Sequence, residues 1–394
     1  MPDIGIKPQF ARAGRLLTLC LLLAQAAACN FSDPAATNGA TSKVSLVQEK
    51  VLSLTTDTEG FSSRPETAVT DSRIFTFYLK NNKSFDIKIF DSSLYTALST
   101  STLVMESSAY GTPTDLRIVQ DNSFAYLFYE TVNVNSTYLW ASKYNLNDAF
   151  DRVAATDMPI VTGKSVMNLA EGEEVLNDPA PLLTPNSLFI LTRLMSSLST
   201  TGKCIYRVRE LSTQDLSQVN QFDLDLSSVA KGRARVSSLF YYNNAIYMAV
   251  PSTVSDEGLF DNLISNDGAL TEILLLKMQS DWTFDPQTDA RTLSSDTGYI
   301  ENYVNGFQTD GTNVYMSYKQ SYGVVGSGEQ SAIVKIYDMS FNELLKQTMK
   351  KVTWGFGEIR PSQQLLGATF YSGQTNNQSG GPGDAQLGIY HVVH

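Results

Sequence analysis

The sequence predicts an all-β chain folded as a single β-propeller of six blades. Three observations carry that prediction. From about Val44 to His394 the chain consists of short strand-like apolar runs separated by clusters of Asp, Asn, Gly, Ser and Pro. A turn cluster followed by a strand recurs six times, as DSRIFTFYLK from Asp71, DNSFAYLFYE from Asp121, PNSLFILTRL from Pro185, NNAIYMAVPS from Asn243, GTNVYMSYKQ from Gly311 and SQQLLGATFY from Ser362. Their first apolar anchors, Ile74, Phe124, Leu188, Ile246, Val314 and Leu365, lie 50 to 68 residues apart. A unit of that size cannot bury both faces of its own sheet, so neighbouring units must stack. Third, Leu365 is followed by 29 residues and Ile74 is preceded by 30 from Val44, so the two ends joined make one more unit of ordinary length.

Each unit continues with a second strand: FDIKIFDSS, TYLWASKYN, CIYRVRELS, EILLLKMQS, AIVKIYDMS and QLGIYHVVH. A polar turn starter such as Asp91, Asn145 or Asp338 follows in most units, because Asp and Asn accept from backbone amides two residues on, and a weaker third run comes after it. The segment VSLVQEKVLSL is the candidate for a strand that completes the last blade and removes the exposed sheet edges. Its apolar residues Val44, Val47, Val51 and Leu54 also fit helical spacing, which leaves a helix open. Six blades is the count. Seven would result if Val161–Pro179 or the long fourth unit held another, and an array of β-sandwiches is a more distant alternative. The pattern resembles the broad set of bacterial exported β-propellers with degenerate repeats, KIYDMSFNELLKQ from Lys335 being the nearest match. It lacks WD dipeptides, kelch di-glycines and the tryptophan-docking repeats of quinoproteins.

The N-terminus reads as an export signal over residues 1–28. Lys7, Arg12 and Arg15 precede a short apolar core from Leu16 to Ala24, and Ala26, Ala27 and Ala28 lead into Cys29. That order resembles the bacterial lipobox, although Ala26 stands where the pattern usually has Leu. The resemblance implies diacylglycerol on Cys29 as the mature N-terminus, and Asn30 in place of Asp implies the outer membrane rather than inner-membrane retention. Ordinary cleavage after the alanines is the alternative. Residues 29–43, rich in Asn, Ala, Thr, Ser and Gly, form a flexible tether, and 44–394 the propeller domain.

Composition narrows the function classes. Removal of one acid and three bases with residues 1–28 takes the net charge from -11 to -13, which argues against nucleic acid as a partner. Cys20 leaves with the signal and Cys29 is capped, so Cys204 is expected as a buried small hydrophobe, with a Cys29–Cys204 bridge only if no lipid is attached. The only histidines, His391 and His394, sit at the extreme C-terminus, so a Ser-His-Asp triad is not expected. No cofactor motif and no metal-ligand spacing is present. Carboxylates are the remaining chemistry: Glu171, Glu173, Glu174 and Asp178 in NLAEGEEVLNDP, and Asp256, Glu257, Asp261 and Asp267 in the fourth unit. Both groups read first as solvated acidic loops, and second as a cation site or a paired-carboxylate glycosidase site. Trp140 reads as core, while the exposure of Trp282 and Trp354 stays open.

The links between the first and second strand of the units grow long in units three to six, and equivalent links emerge on one face of a propeller. That face is the expected binding surface. Leu259, Phe260, Leu263 and Ile264 in the fourth-unit insertion, with Tyr322 in the fifth, are its candidate partner-binding residues. The function expected is a lipid-anchored envelope scaffold that binds a protein or glycan partner. The alternative is a carboxylate- or cation-dependent hydrolase or lyase acting on envelope glycans. Carboxylates converging in the central funnel would favour the enzyme, and a funnel filled with apolar side chains the scaffold.

Overall fold

The computed structural model describes residues 44–393 except 56–64, 81–83, 104–109, 148–149, 165–168, 197–201, 254–270, 297–299, 323–327, 354–361, 368 and 377–383. Cys29, Trp354 and the four apolar residues of the fourth-unit insertion therefore lie outside the described residues.

The described residues form strands and no helix, arranged as six antiparallel blades. The chain opens with β1 (Ser45–Ser53) and then builds blade one from β2 (Glu66–Val69), β3 (Arg73–Lys80), β4 (Ser84–Asp91) and β5 (Ala97–Thr102). Blade two is β6 (Thr112–Gln120), β7 (Phe124–Val132) and β8 (Ser136–Asn145), with its outer position shared by β9 (Arg152–Ala155) and β10 (Val161–Lys164). Blade three is β11 (Glu174–Leu183), β12 (Leu188–Leu194), β13 (Ile205–Leu211) and β14 (Gln218–Asp225). Blade four is β15 (Ser238–Tyr242), β16 (Ala245–Thr253), β17 (Thr271–Gln279) and β18 (Ala290–Ser294). Blade five is β19 (Ile300–Thr309), β20 (Asn313–Tyr322), β21 (Glu329–Asp338) and β22 (Glu343–Thr353). A single parallel bridge, Thr271 to Ile300, links it to blade four. Blade six is β23 (Ser362–Leu366), β24 (Thr369–Asn376) and β25 (Asp384–Val393), closed on its outside by β1.

The count of six thus holds. The described residues of Val161–Pro179 hold no seventh blade, because the two ends of that span serve as the outer strand of blade two and the inner strand of blade three.

Closure settles the ambiguity of VSLVQEKVLSL in favour of a strand. Ser45 pairs with Val393 and Ser53 with Gln386, across one bulge between Gln48 and Lys50. Leu46 and Leu52 are buried while Val47 and Val51 face out, an inside-outside division that pleating and the bulge impose and a helix would not.

The core is a ring of six apolar clusters, one between each adjacent pair of blades. On β7, Ala125, Leu127 and Tyr129 pack toward blade one, whereas Tyr126 and Phe128 pack toward blade three. Both faces of a middle strand are therefore dry, and the sequence there runs apolar without alternating. Trp140 lies fully buried in the cluster between blades one and two and donates its indole N–H to Thr131 Oγ1 at 3.0 Å. Cys204 is likewise buried, and desolvation pushes its thiol up to about 12, as expected of an inert small hydrophobe.

Candidate functional site

The up-and-down order fixes two faces. Links between blades and links from the second to the third strand leave at one face, here the loop face, and the other turns leave at the opposite, turn face. The first strand of every blade lines the axis.

Three of those six inner strands are bulged. In β6 the residues Thr114 and Asp115 oppose the single Glu130 of β7. In β11 the register jumps from Val175 to Ala180 against one residue of β12, and in β19 from Asn302 to Gly306 against one residue of β20. The local sequence accounts for this. Pro113 and Pro179 cannot donate to a ladder, and Gly306 lies so close to the sixth blade that an added Cβ would sit 2.7 Å from Gln363 Cβ. Asp178 takes φ of 54° and Tyr303 of 52°, left-handed values that bulges at functional sites commonly hold.

The bulges bring Asp178 and Asn305 together with Glu66, the first residue of β2, around Arg117, with Asp115 two residues before it in the β6 bulge. Arg117 Nη2 donates to Asn305 Oδ1 at 2.7 Å and to Asp178 Oδ1 at 3.2 Å, and its Nη1 lies 3.8 Å from Glu66 Oε1. All five residues are buried. Asp115 Oδ1 accepts from the Leu116 N–H at 2.9 Å, and the Asp115 charge acts on Glu130. Glu130 reaches the same cluster from β7. Burial raises its carboxyl well above the ordinary range, Asp115 and Asp178 raise it further, and an N–H from Asp178 and the charge of Arg117 only partly oppose them. Glu130 Oε1 and Asn305 Nδ2 have no hydrogen-bond partner among the described residues, so the cluster is not internally satisfied. A cavity of about 40 Å³ continues along the axis past Glu66, Arg117, Asn305 and Gln363. It has room for a few waters and is too small for a sugar ring.

Chemically, three neighbouring carboxyls, one of them shifted upward by burial and by its acidic neighbours, can supply an acid and a base together. One guanidinium ties two of the surrounding acids in place. No group of three or more His, Cys, Asp or Glu among the described residues has the geometry to hold a metal ion.

The acidic stretch NLAEGEEVLNDP does not behave as one solvated loop. Glu171 is exposed, and Glu173 accepts from the Ala170 N–H at 2.7 Å and pairs with Lys164. Glu174 turns inward, binding Thr192 Oγ1 and Arg209, whose Nη2 donates to Glu174 Oε2 at 2.7 Å. Only Asp178 reaches the axis. Sequence reading singled out Asp178 for its neighbours in sequence and missed Glu66, Asp115, Arg117, Glu130 and Asn305. The available signal was Pro or Gly beside a polar residue inside a strand, in TPTD, NDPAP and NG. Tyr322, half-buried at the end of β20, is not among the residues of the axial cluster. Trp282 proves to be buried, against Phe189 and Phe222 at centroid distances of 5.2 and 5.8 Å.

Comparison of the sequence with protein families and with curated proteins finds no match. Solved structures do match the fold. An α-L-arabinanase from Penicillium chrysogenum, complexed with arabinobiose, is 10% identical, with 88% of this chain and 98% of that one covered and a TM-score of 0.53. The endosialidase of phage phi92 is 11% identical, with 89% and 70% covered and a TM-score of 0.53. A GH93 α-L-arabinofuranosidase from Fusarium graminearum is 8% identical, with 84% and 92% covered and a TM-score of 0.50. At such identities the likeness establishes the fold and leaves activity to the site.

The expectation of a recognition scaffold working through the long-loop face is therefore corrected. The axis holds converging carboxylates instead of an apolar plug, which is the arrangement assigned above to the enzyme alternative, and the similar propellers are glycan-cleaving enzymes. What this chain is similar to is a set of glycoside-hydrolase β-propellers.

Proposed function

We propose that this protein is a glycoside hydrolase that acts at the axis of its propeller once the closed axial cavity of about 40 Å³ widens to admit a sugar, exported and held at the bacterial outer membrane by a lipid on Cys29. The observation that carries the activity is the convergence of Asp115 and Asp178, from bulged inner strands, with Glu130 of β7 in the cluster that holds Arg117. Cleavage of a glycosidic bond needs one carboxyl that delivers a proton to the leaving oxygen and a second that serves as nucleophile or activates water. In this reading the proton retained in the cluster is the acid function, and Asp115 and Asp178 supply the ionised partner. Arg117 positions Asp178, and Asn305 holds the guanidinium from the other side. The substrate class is an envelope or extracellular glycan, and the lipid anchor keeps the enzyme where such polymers are.

The test is turnover by the full-length, detergent-solubilised protein on linear arabinan, polysialic acid and isolated envelope glycan, followed by chromatography of the released sugars. Asp178→Asn keeps a side chain that tolerates the left-handed backbone and removes only the charge. Release of sugar by the native protein and its loss by at least about a hundredfold in Asp178→Asn is expected, the size typical of removing an acid or base. Undiminished release by Asp178→Asn, or none from any of the three polymers, would refute the assignment.

A further inference from the structure

A second feature lies on the turn face, away from the axial carboxylates. Between blades three and four a groove of about 430 Å³ opens, lined by the turn at 184–187, by Phe189, Glu210 and Phe222 of blade three, and by Tyr241 and the 280–282 turn of blade four. That volume is in the range of small-ligand sites.

Trp282 joins the two blades at this groove. It stands in a left-handed conformation, φ 70°, which is an outlier for a bulky side chain, and packs edge-on against Phe189 and Phe222. The residue is 6% exposed, and its indole N–H has no hydrogen-bond partner among the described residues. A buried donor left in that state is unusual, and because the N–H itself is closed off, the ligand is read from the groups that line the groove.

The remaining groups define what fits. Glu210 accepts from Ser187 Oγ at 2.5 Å through Oε1, and Asp281 offers a second carboxylate from the opposite blade. None of the described lining residues is cationic, so an anionic ligand finds no counter-charge. An ammonium would suit carboxylates and rings, yet it has no acceptor for the side-chain amides of Asn186 and Asn220 that also line the groove. A sugar ring meets the features that line the groove: hydroxyls donate to the carboxylates and accept from the side-chain amides of Asn186 and Asn220, and its C–H faces pack on aromatic rings. We infer that this groove is a binding site for a neutral saccharide, distinct from the axial carboxylates and independent of whether the axis cleaves glycans.

The experiment uses the full chain labelled with 5-fluorotryptophan, whose fluorine resonances come from Trp140, Trp282 and Trp354. Trp282→Phe assigns the Trp282 signal. Titration with arabinobiose and with cellobiose should move that signal saturably and leave buried Trp140 in place. Glu210→Gln should weaken the response at least about fivefold, the effect of losing one charged hydrogen bond, and Asp178→Asn at the axis should leave it unchanged. The inference is overturned if neither disaccharide moves the Trp282 signal, if tetramethylammonium chloride alone moves it, if Glu210→Gln has no effect, or if Asp178→Asn abolishes the response. Glycan turnover does not enter any of these readings, so this site and the axial proposal stand or fall separately.

Discussion

Replacing Arg117 by Met tests the axial cluster most directly. Arg117 is 5% exposed, and its guanidinium faces Asp178 at 3.2 Å, Glu66 at 3.8 Å and Asn305 at 2.7 Å. Met keeps the length and apolar bulk of the side chain, so the change removes charge and hydrogen bonds with little change of volume. Buried acids then face one another without a counter-charge, and breaking a buried pair in this way costs about 3–5 kcal/mol. Against a usual total of about 5–15 kcal/mol for a domain, that is a large fraction. The assay is urea unfolding at pH 7, with the midpoint falling and the slope unchanged. Asp178→Asn added to Arg117→Met should restore part of the loss, because the second change removes one of the stranded charges, and the cycle should show coupling of about 0.5–3 kcal/mol. Acidification should narrow the gap as well, since protonation neutralises the stranded acids. A loss below about 1 kcal/mol in Arg117→Met, or strictly additive effects in the double variant, would refute the view that these residues act as one electrostatic unit.

Glu130 gives the pH prediction. A carboxyl whose folded pKa is raised binds its proton more tightly folded than unfolded, so it costs no stability below the unfolded value, near 4.5, and progressively more as pH rises above it. Glu130→Gln should thus gain stability relative to the native protein between about pH 4.5 and neutrality, measured by thermal melts across pH, while losing glycan turnover. A constant difference at all pH values would show that Glu130 is not the titrating group. Deleting residues 44–54 removes the buried Val44, Leu46, Leu52 and Leu54 and the strand that closes blade six, a burial worth on the order of 10 kcal/mol. The whole domain should unfold cooperatively at lower temperature, and an unchanged melting temperature would count against closure as the source of stability. Cys29→Ser should move the protein from the membrane pellet to the soluble fraction after a salt wash, and continued sedimentation with the envelope would rule out the lipid anchor.

The sequence by itself determined the architecture, because a propeller is a local repeat. Each blade is a meander whose strands are neighbours in the chain, and turn chemistry at Asp91, Asp121, Asp310 and Asp338 marks where the strands reverse. Asp91 Oδ1 accepts from the Ser93 and Leu94 N–H groups, and Asp338 Oδ1 from those of Ser340 and Asn342. Burial of Trp140 and Cys204 followed from the same patterns, since Trp140 lies in a middle strand covered on two sides and Cys204 directly precedes another, β13. Even ring closure was legible, through the complementary lengths of the two ends.

The axial site was not legible, and the reason is geometric. Glu66, Asp115, Asp178 and Asn305 lie on four different blades, separated by dozens of residues, and no periodicity relates them. They meet only because the ring closes and because bulges turn the extra residues of β6, β11 and β19 out of the ladder. Acids that were close in sequence were the misleading signal. Within one short stretch Glu171 faces solvent, Glu174 pairs inside blade three and Asp178 reaches the axis, a division set by strand pleat, bulge and left-handed φ. Trp282 makes the same point on the other face, where contacts across two blades decided its burial. Local chemistry dictated the blades, and only their closure into a ring decided which polar side chains share a dry interior and must therefore pair, hold a proton or bind a ligand.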